Sequence, residues 1–145
     1  MARTIDQLLE DARGRIERLT PGEALVAAAD GALIVDIRSD LDRERTGVVP
    51  GSVHIPRTVL EWRVAPDSPW RNPHLGRPGR RLVLVCDHGY SSSLAASTLV
   101  ELGLDASDVI GGFDAWLAGG LPVVSSSRPR GPDELAGMRP PEHGA

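Results

Sequence analysis

The stretch Val83-Leu84-Val85-Cys86-Asp87-His88-Gly89-Tyr90-Ser91-Ser92-Ser93 constrains the fold more than any other part of the chain. Arg81-Leu82-Val83-Leu84-Val85 is a short, continuous apolar run behind one arginine, which predicts a strand buried on both faces, as in a parallel sheet. The run breaks at a glycine turn, after which Leu94, Ala95, Thr98, Leu99 and Leu102 recur at helical spacing until Gly103. The only cysteine of the chain stands where strand gives way to turn. At such a junction several backbone N–H groups and the positive end of a helix converge on one point. A sulfur placed there meets a field that favours its anionic form, so Cys86 is the candidate nucleophile. Ser91, Ser92 and Ser93 add hydroxyls at the helix start, and His88 adds a proton donor.

Other segments repeat the alternation. Ala32-Leu33-Ile34-Val35-Asp36-Ile37-Arg38 is a second buried strand, Ala106 to Ile110 a third, and Val48 to Pro56 holds a turn at Pro50-Gly51 and a short strand ending before Pro56. Asp36 interrupts its apolar run and needs a partner; Arg38, two residues on, leaves the same face of a strand. A structural ion pair at the strand end is the expectation there, and a packed, hydrogen-bonded side chain is the expectation for His54. Thr20-Pro21-Gly22-Glu23 carries a capping box with proline at the first helical position, and that helix stops near Asp30-Gly31. Gly111-Gly112-Phe113-Asp114-Ala115-Trp116-Leu117 reads as a tight turn into a short helix, and Thr58 to Val64 as another short helix. Strands alternating with helices predict an α/β domain with a mainly parallel sheet, whose sites gather beyond the carboxyl ends of the strands, where Cys86 falls.

The flanks read differently. Ile5, Leu8, Leu9, Ala12, Ile16 and Leu19 predict an amphipathic helix over residues 1–19. Ser39 to Arg45 reads as a charged loop, and Pro66 to Gly79 as a long surface loop, with Arg57, Arg63 and Arg71 nearby as solvated cations. Composition shifts to Ser, Pro, Arg and Gly from Ser125, so the expected division is 1–19, a compact domain over 20–124, and a loose tail over 125–145.

At 145 residues the chain is long enough for one proper core, and with aromatics at only 3% that core is built from Val, Leu, Ile and Ala. A formal charge of −4 argues against nucleic acid as the main partner. A single cysteine cannot form an intrachain disulfide and suits a reducing, cytoplasmic compartment. The N-terminal residues lack the apolar core of a signal peptide, and no apolar run reaches membrane-spanning length. Four histidines scattered around one cysteine give no metal-ligand spacing.

Cys86-Asp87-His88-Gly89-Tyr90-Ser91-Ser92 resembles the active-site loop of single-domain rhodaneses, the thiosulfate sulfurtransferases. Leu33 to Arg38 is similar to that family's strand ending in Asp-x-Arg. Gly47 to Pro56 is similar to its Gly-His-Ile-Pro-Gly-Ala segment, and Gly111-Gly112 with Trp116 to its closing turn and helix. The four pieces stand in the right order, and the resemblance covers residues 20–124. The resemblance implies a rhodanese-like three-layer domain, a mainly parallel sheet with helices on both faces. It also implies sulfur transfer without cofactor or metal: the Cys86 thiolate takes the outer sulfur of thiosulfate, sulfite leaves, and the persulfide passes to cyanide or a thiol, a protein thiol included. Asp87, His88, Gly89, Tyr90, Ser91 and Ser92 then form the substrate-binding loop, with Asp36 and Arg38 in support. The chain departs from the family in two places. Val48 stands where histidine is common, and the loop has no Arg or Lys, with Asp87 directly after the cysteine instead. A carboxylate there is expected to oppose the thiolate and repel a dianionic donor unless it points outward.

Two other readings fit the same residues. A phosphatase or arsenate reductase on this fold uses a longer loop closed by an arginine, whereas here Gly89 comes third after Cys86 and serines follow. A non-catalytic persulfide carrier or interaction module would use the extra N-terminal helix or the tail.

Overall fold

The computed structural model describes residues 2–75 and 79–126. Five strands form one parallel sheet: β1 (Glu17–Leu19), β2 (Leu33–Asp36), β3 (Val53–His54), β4 (Leu82–Val85) and β5 (Ala106–Val109), in the order β1-β5-β4-β2-β3. Between them run α1 (Ile5–Gly14), α2 (Pro21–Ala29), α3 (Asp40–Thr46), a 3-10 turn at Arg57–Val59, α4 (Leu60–Val64), α5 (Ser91–Glu101) and α6 (Gly112–Ala118). This is the expected α/β architecture with a parallel central sheet.

Strand alternation sorts the core into two layers. Leu33, Val35, Ile37, Leu82, Leu84 and Ala106 face α4 and α5, together with Cys86. Ile34, Val83, Val85 and Val109 face the other way, onto Ala24 of α2 and Phe113 and Trp116 of α6. Each central strand is therefore apolar on both sides, which is why its sequence is a continuous run. The parity also places Cys86 and Asp108 on the α5 side, and it places Asp36 on the α6 side.

Two segments differ from expectation. The N-terminal helix ends at Gly14, not at residue 19, and Glu17–Leu19 becomes an edge strand paired in parallel with β5. Ile16 and Leu19 satisfy a helical period, but Ile16 packs on the α5-side core while Leu19 points to the opposite one. That split is available only to an extended segment crossing the sheet edge. The charged segment 39–45 is not a loop but α3. Its stability comes from its ends, since Ser39 caps the Asp42 amide, acidic residues occupy the first turn and Arg43 and Arg45 the last.

The segment after α4 also does more than cover the surface. Leu75 is buried in the α5-side core, the Asn72 amide donates to the Arg63 carbonyl, and Arg63 donates to the Trp70 carbonyl. Arg57 pairs with Glu61 at 2.8 Å, so neither Arg57 nor Arg63 is a solvated cation. At the far end, Val124 exchanges backbone hydrogen bonds with Val48. The tail expected over 125–145 lies, from residue 127 onward, outside the described residues. Among the described residues no helix is long and apolar enough to cross a membrane.

Candidate active site

Cys86 follows β4 directly, and its chain curls through Asp87–Tyr90 into α5. The curl depends on Gly89, whose φ of +85° is open to glycine and costly for other residues. A Cβ at Gly89 would also lie 2.8 Å from the Gly111 nitrogen. From the other side α6 closes on the same turn. Gly112 at φ +65° leaves no room for a Cβ, which would stand 2.5 Å from the Cys86 carbonyl oxygen. The Phe113 and Asp114 amides donate to the Cys86 and Asp87 carbonyls at 2.8 and 3.1 Å.

Two of the loop's amides turn inward. The Cys86 Sγ accepts from the Gly89 N–H at 3.1 Å and from the Ser92 N–H at 3.4 Å. The Ser92 hydroxyl donates to Asp108 Oδ2 at 2.8 Å, so it meets the sulfur, 3.2 Å away, as an acceptor of the S–H. Cys86 is 7% exposed, a sulfur largely enclosed by its own loop. N–H donors at the start of an 11-residue helix suit a sulfur anion or a small anionic ligand.

The rest of the loop is laid out around this centre. His88 is exposed, with Nδ1 2.7 Å from Asp114 Oδ2. Tyr90 is exposed, its ring 5.5 Å from the Arg13 guanidinium, and Ser91 opens α5 at the surface. Asp87 is half-buried, and its carboxyl shares a hydrogen bond with Asp42 of α3. Burial, and after it the Asp42 contact, pushes the Asp87 carboxyl above the usual aspartate range. The same contact is the main influence holding Asp42 below that range. One proton shared by the two carboxyls, resting on Asp87, accounts for both directions.

Asp36 and Arg38 are not at the sulfur. They form a buried ion pair on the α6 side of the sheet, with Arg38 Nη2 2.9 Å from Asp36 Oδ2. Arg38 also donates to the Thr46 hydroxyl at 2.9 Å and the Gly47 carbonyl at 2.7 Å, and lies 3.8 Å over the Phe113 ring. His54 is packed as expected, Nε2 donating to the Arg38 carbonyl at 2.7 Å, and burial lowers its pKa below the usual histidine value.

Three residues at the loop were not anticipated. Asp108, fully buried in β5, accepts from the hydroxyls of Ser92 and Ser93, each at 2.8 Å. Arg18 of β1 holds Asp108 through Nε at 2.9 Å and Nη2 at 3.2 Å, and also donates to the Gly89 carbonyl at 3.0 Å. Arg13 of α1 donates to the same carbonyl at 2.7 Å and to the Ser93 hydroxyl at 3.1 Å. Asp108 carried a usable signal, a charge inside a strand pattern that demands a partner. Among the described residues no group of three or more His, Cys, Asp or Glu is placed to hold a metal.

A family model described as a rhodanese-like domain matches residues 20–119. Thiosulfate sulfurtransferase GlpE of Pseudomonas savastanoi is 35% identical over 103 residues, spanning 70% of this chain and 88% of that protein. The protein of the same name from Haemophilus influenzae is 30% identical over 109 residues, 74% of this chain and 93% of that one. Among solved structures, a protein of unknown function, possible tyrosine phosphatase, from Rhodopseudomonas palustris superposes with a TM-score of 0.79 at 35% identity, covering 86% of this chain and 96% of its own. A rhodanese-related protein from Thermoplasma volcanium superposes at 0.59 with 25% identity, covering 76% and 97%.

Proposed function

The chain belongs to the rhodanese-like family, and from that premise we propose that it is a sulfurtransferase working through a persulfide on Cys86. The observation that carries this reading is the sulfur's own setting: Cys86 Sγ accepts two loop N–H bonds, from Gly89 and Ser92, at the start of α5. In the first step the thiolate forms a bond to the outer sulfur of thiosulfate, the donor's S–S bond breaks, and sulfite leaves with the electron pair. A persulfide anion remains. In the second step cyanide or a thiolate attacks the terminal sulfur and Cys86 departs as the thiolate again. Negative charge is conserved in each step, and the loop N–H groups face it throughout.

The other loop residues take roles around that sulfur. Gly89 and Ser92 supply donors, Tyr90 and Ser91 extend the cradle at the helix start, and Asp87 and His88 line the rim that an incoming anion crosses. Asp36 and Arg38 support the site from the opposite face of the sheet. The acceptor is cyanide, a small thiol or a protein thiol, and a reducing compartment such as the cytoplasm suits the lone thiol. The family stretch over 20–124 is joined by residues 1–19, which supply α1 and the edge strand β1 of the same sheet.

Intact mass after exposure to thiosulfate tests the reading. One added sulfur is expected on the wild type, lost on treatment with cyanide and absent from Cys86→Ser. No adduct from thiosulfate or from any persulfide donor would overturn it.

The relative named as a possible tyrosine phosphatase keeps a second reading in view. The residues between Cys86 and Ser92 include no arginine to close around a phosphoryl group, and Arg13 and Arg18 are engaged with the Gly89 carbonyl. Hydrolysis of an aryl phosphate that disappears in Cys86→Ser would favour that reading over sulfur transfer.

A further inference from the structure

The loop brings no cation of its own, yet two guanidinium groups reach it from the N-terminal segment, ahead of the 20–119 stretch that matches the family. Arg13 and Arg18 both donate to the carbonyl of Gly89, at 2.7 and 3.0 Å. Neither contact is isolated. Arg13 also binds the Ser93 hydroxyl and lies over the Tyr90 ring, and Arg18 is anchored on buried Asp108, its cross-strand neighbour in the β1–β5 register.

The position of that carbonyl matters. The peptide joining Gly89 to Tyr90 is trans, so its C=O and N–H point in opposite directions. Drawing the C=O back toward the arginines turns the Tyr90 N–H away from them. That N–H lies in sequence between the amides of Gly89 and Ser92, which bond to Cys86 Sγ. A charge-assisted bond holds an acceptor about twice as strongly as a neutral one, and two converge here.

We propose that Arg13 and Arg18 are positioning residues for the sulfur cradle. From behind the loop they hold the Gly89–Tyr90 peptide, its N–H directed away from them, next to the Gly89 and Ser92 amides that bond the sulfur. They also supply the positive charge that the loop sequence lacks. The N-terminal extension is in this sense part of the active site. The inference takes Cys86 as the reacting sulfur, as in the proposed function, but it does not depend on which donor loads it.

The test compares Cys86 alkylation by iodoacetate, an anion, with that by iodoacetamide, its neutral counterpart, in the full chain. Arg13→Met is the informative variant, because the Gly89 carbonyl keeps Arg18 and no buried carboxylate loses its partner. The iodoacetate-to-iodoacetamide rate ratio is expected to fall about threefold in Arg13→Met. Arg13→Lys should recover most of that ratio while remaining slower with both reagents, since it keeps the charge but loses the planar fork. Arg15→Met, which removes only an exposed pair with Glu101, should leave the ratio unchanged.

Loss of general packing would move both reagents together. An unaltered ratio in Arg13→Met, or an equal fall in Arg15→Met, would overturn the proposal. Sulfur uptake from thiosulfate, followed by mass on the same proteins, separates the two claims. A wild type that takes up no sulfur from any donor sinks the sulfurtransferase reading while the alkylation ratio still decides the clamp.

Discussion

Two aspartate–arginine pairs lie on opposite faces of the sheet, and their differences divide scaffold from site. Asp36 and Arg38 are 1% and 0% exposed at the side chain. Their contacts run to Thr46, Gly47 and Phe113, so the pair ties the end of β2 to the end of α3 and to α6. None of those partners lies between Cys86 and Ser93. Asp108 and Arg18 are 0% and 18% exposed, and every other partner they have here belongs to that loop and helix start: Ser92, Ser93 and Gly89. The same chemistry therefore does two jobs, according to which way the strand turns its side chains.

Removing Arg38 should do the most damage and the least selective kind. Arg38→Met leaves Asp36 buried beside fewer donors, and a cost of about 3–5 kcal/mol is expected in chemical denaturation. In the protein that remains folded, the iodoacetate-to-iodoacetamide ratio at Cys86 should stay at the wild-type value. A loss under about 1 kcal/mol would break the division.

Asp108→Asn should reverse the balance. The amide still accepts from a serine hydroxyl but no longer neutralises Arg18, and a stability loss of about 1–3 kcal/mol is expected. The rate of Cys86 alkylation, measured with iodoacetamide under native conditions, should shift several-fold because the Ser92 hydroxyl, 3.2 Å from the sulfur, loses its anionic acceptor. An unchanged rate would place Asp108 with the scaffold after all.

The smallest effect is expected at a carboxyl that has no arginine clasped to it. Asp87 is held above the usual aspartate range, mainly by burial, so the folded chain keeps a proton there that the unfolded chain releases. Its contribution to stability is complete below the ordinary aspartate value and is lost as pH rises through the folded one. Asp87→Asn should accordingly raise the melting temperature at pH 7, and the gain should shrink as pH falls toward about 4. A gain that persists unchanged at acid pH would show that ionisation of the buried Asp87 carboxyl is not its source.

The contrast between the two pairs also explains what the sequence disclosed. Asp36 and Arg38 stand two apart at the end of β2, a spacing that in extended chain puts both on one face, and the pair is legible directly. Arg18 and Asp108 are ninety positions apart in the chain, and their contact exists only because β1 and β5 pair in register. Ile16 and Leu19 continued the helical period of residues 5–12, which hid β1 and with it the reason for Arg18 to face the loop. The segment from Ser39 was hidden for a different reason. A helix held by its caps and dipole charges, with Leu41 as its only large apolar residue, leaves no amphipathic trace. The central strands, the α5 helix and the position of Cys86 at a strand end were readable because burial on both faces writes a continuous apolar run.

The closure of α6 on the loop has a thermodynamic consequence. With the Gly112 backbone against the Cys86 and Asp87 carbonyls, and the Phe113 and Asp114 amides bonded to them, the turn is fastened to the start of the helix. In the proposed reaction an incoming anion meets donors already in place, and ordering them costs little conformational entropy. In that reaction, recognition by such a cradle rests on desolvation and charge more than on folding around the ligand.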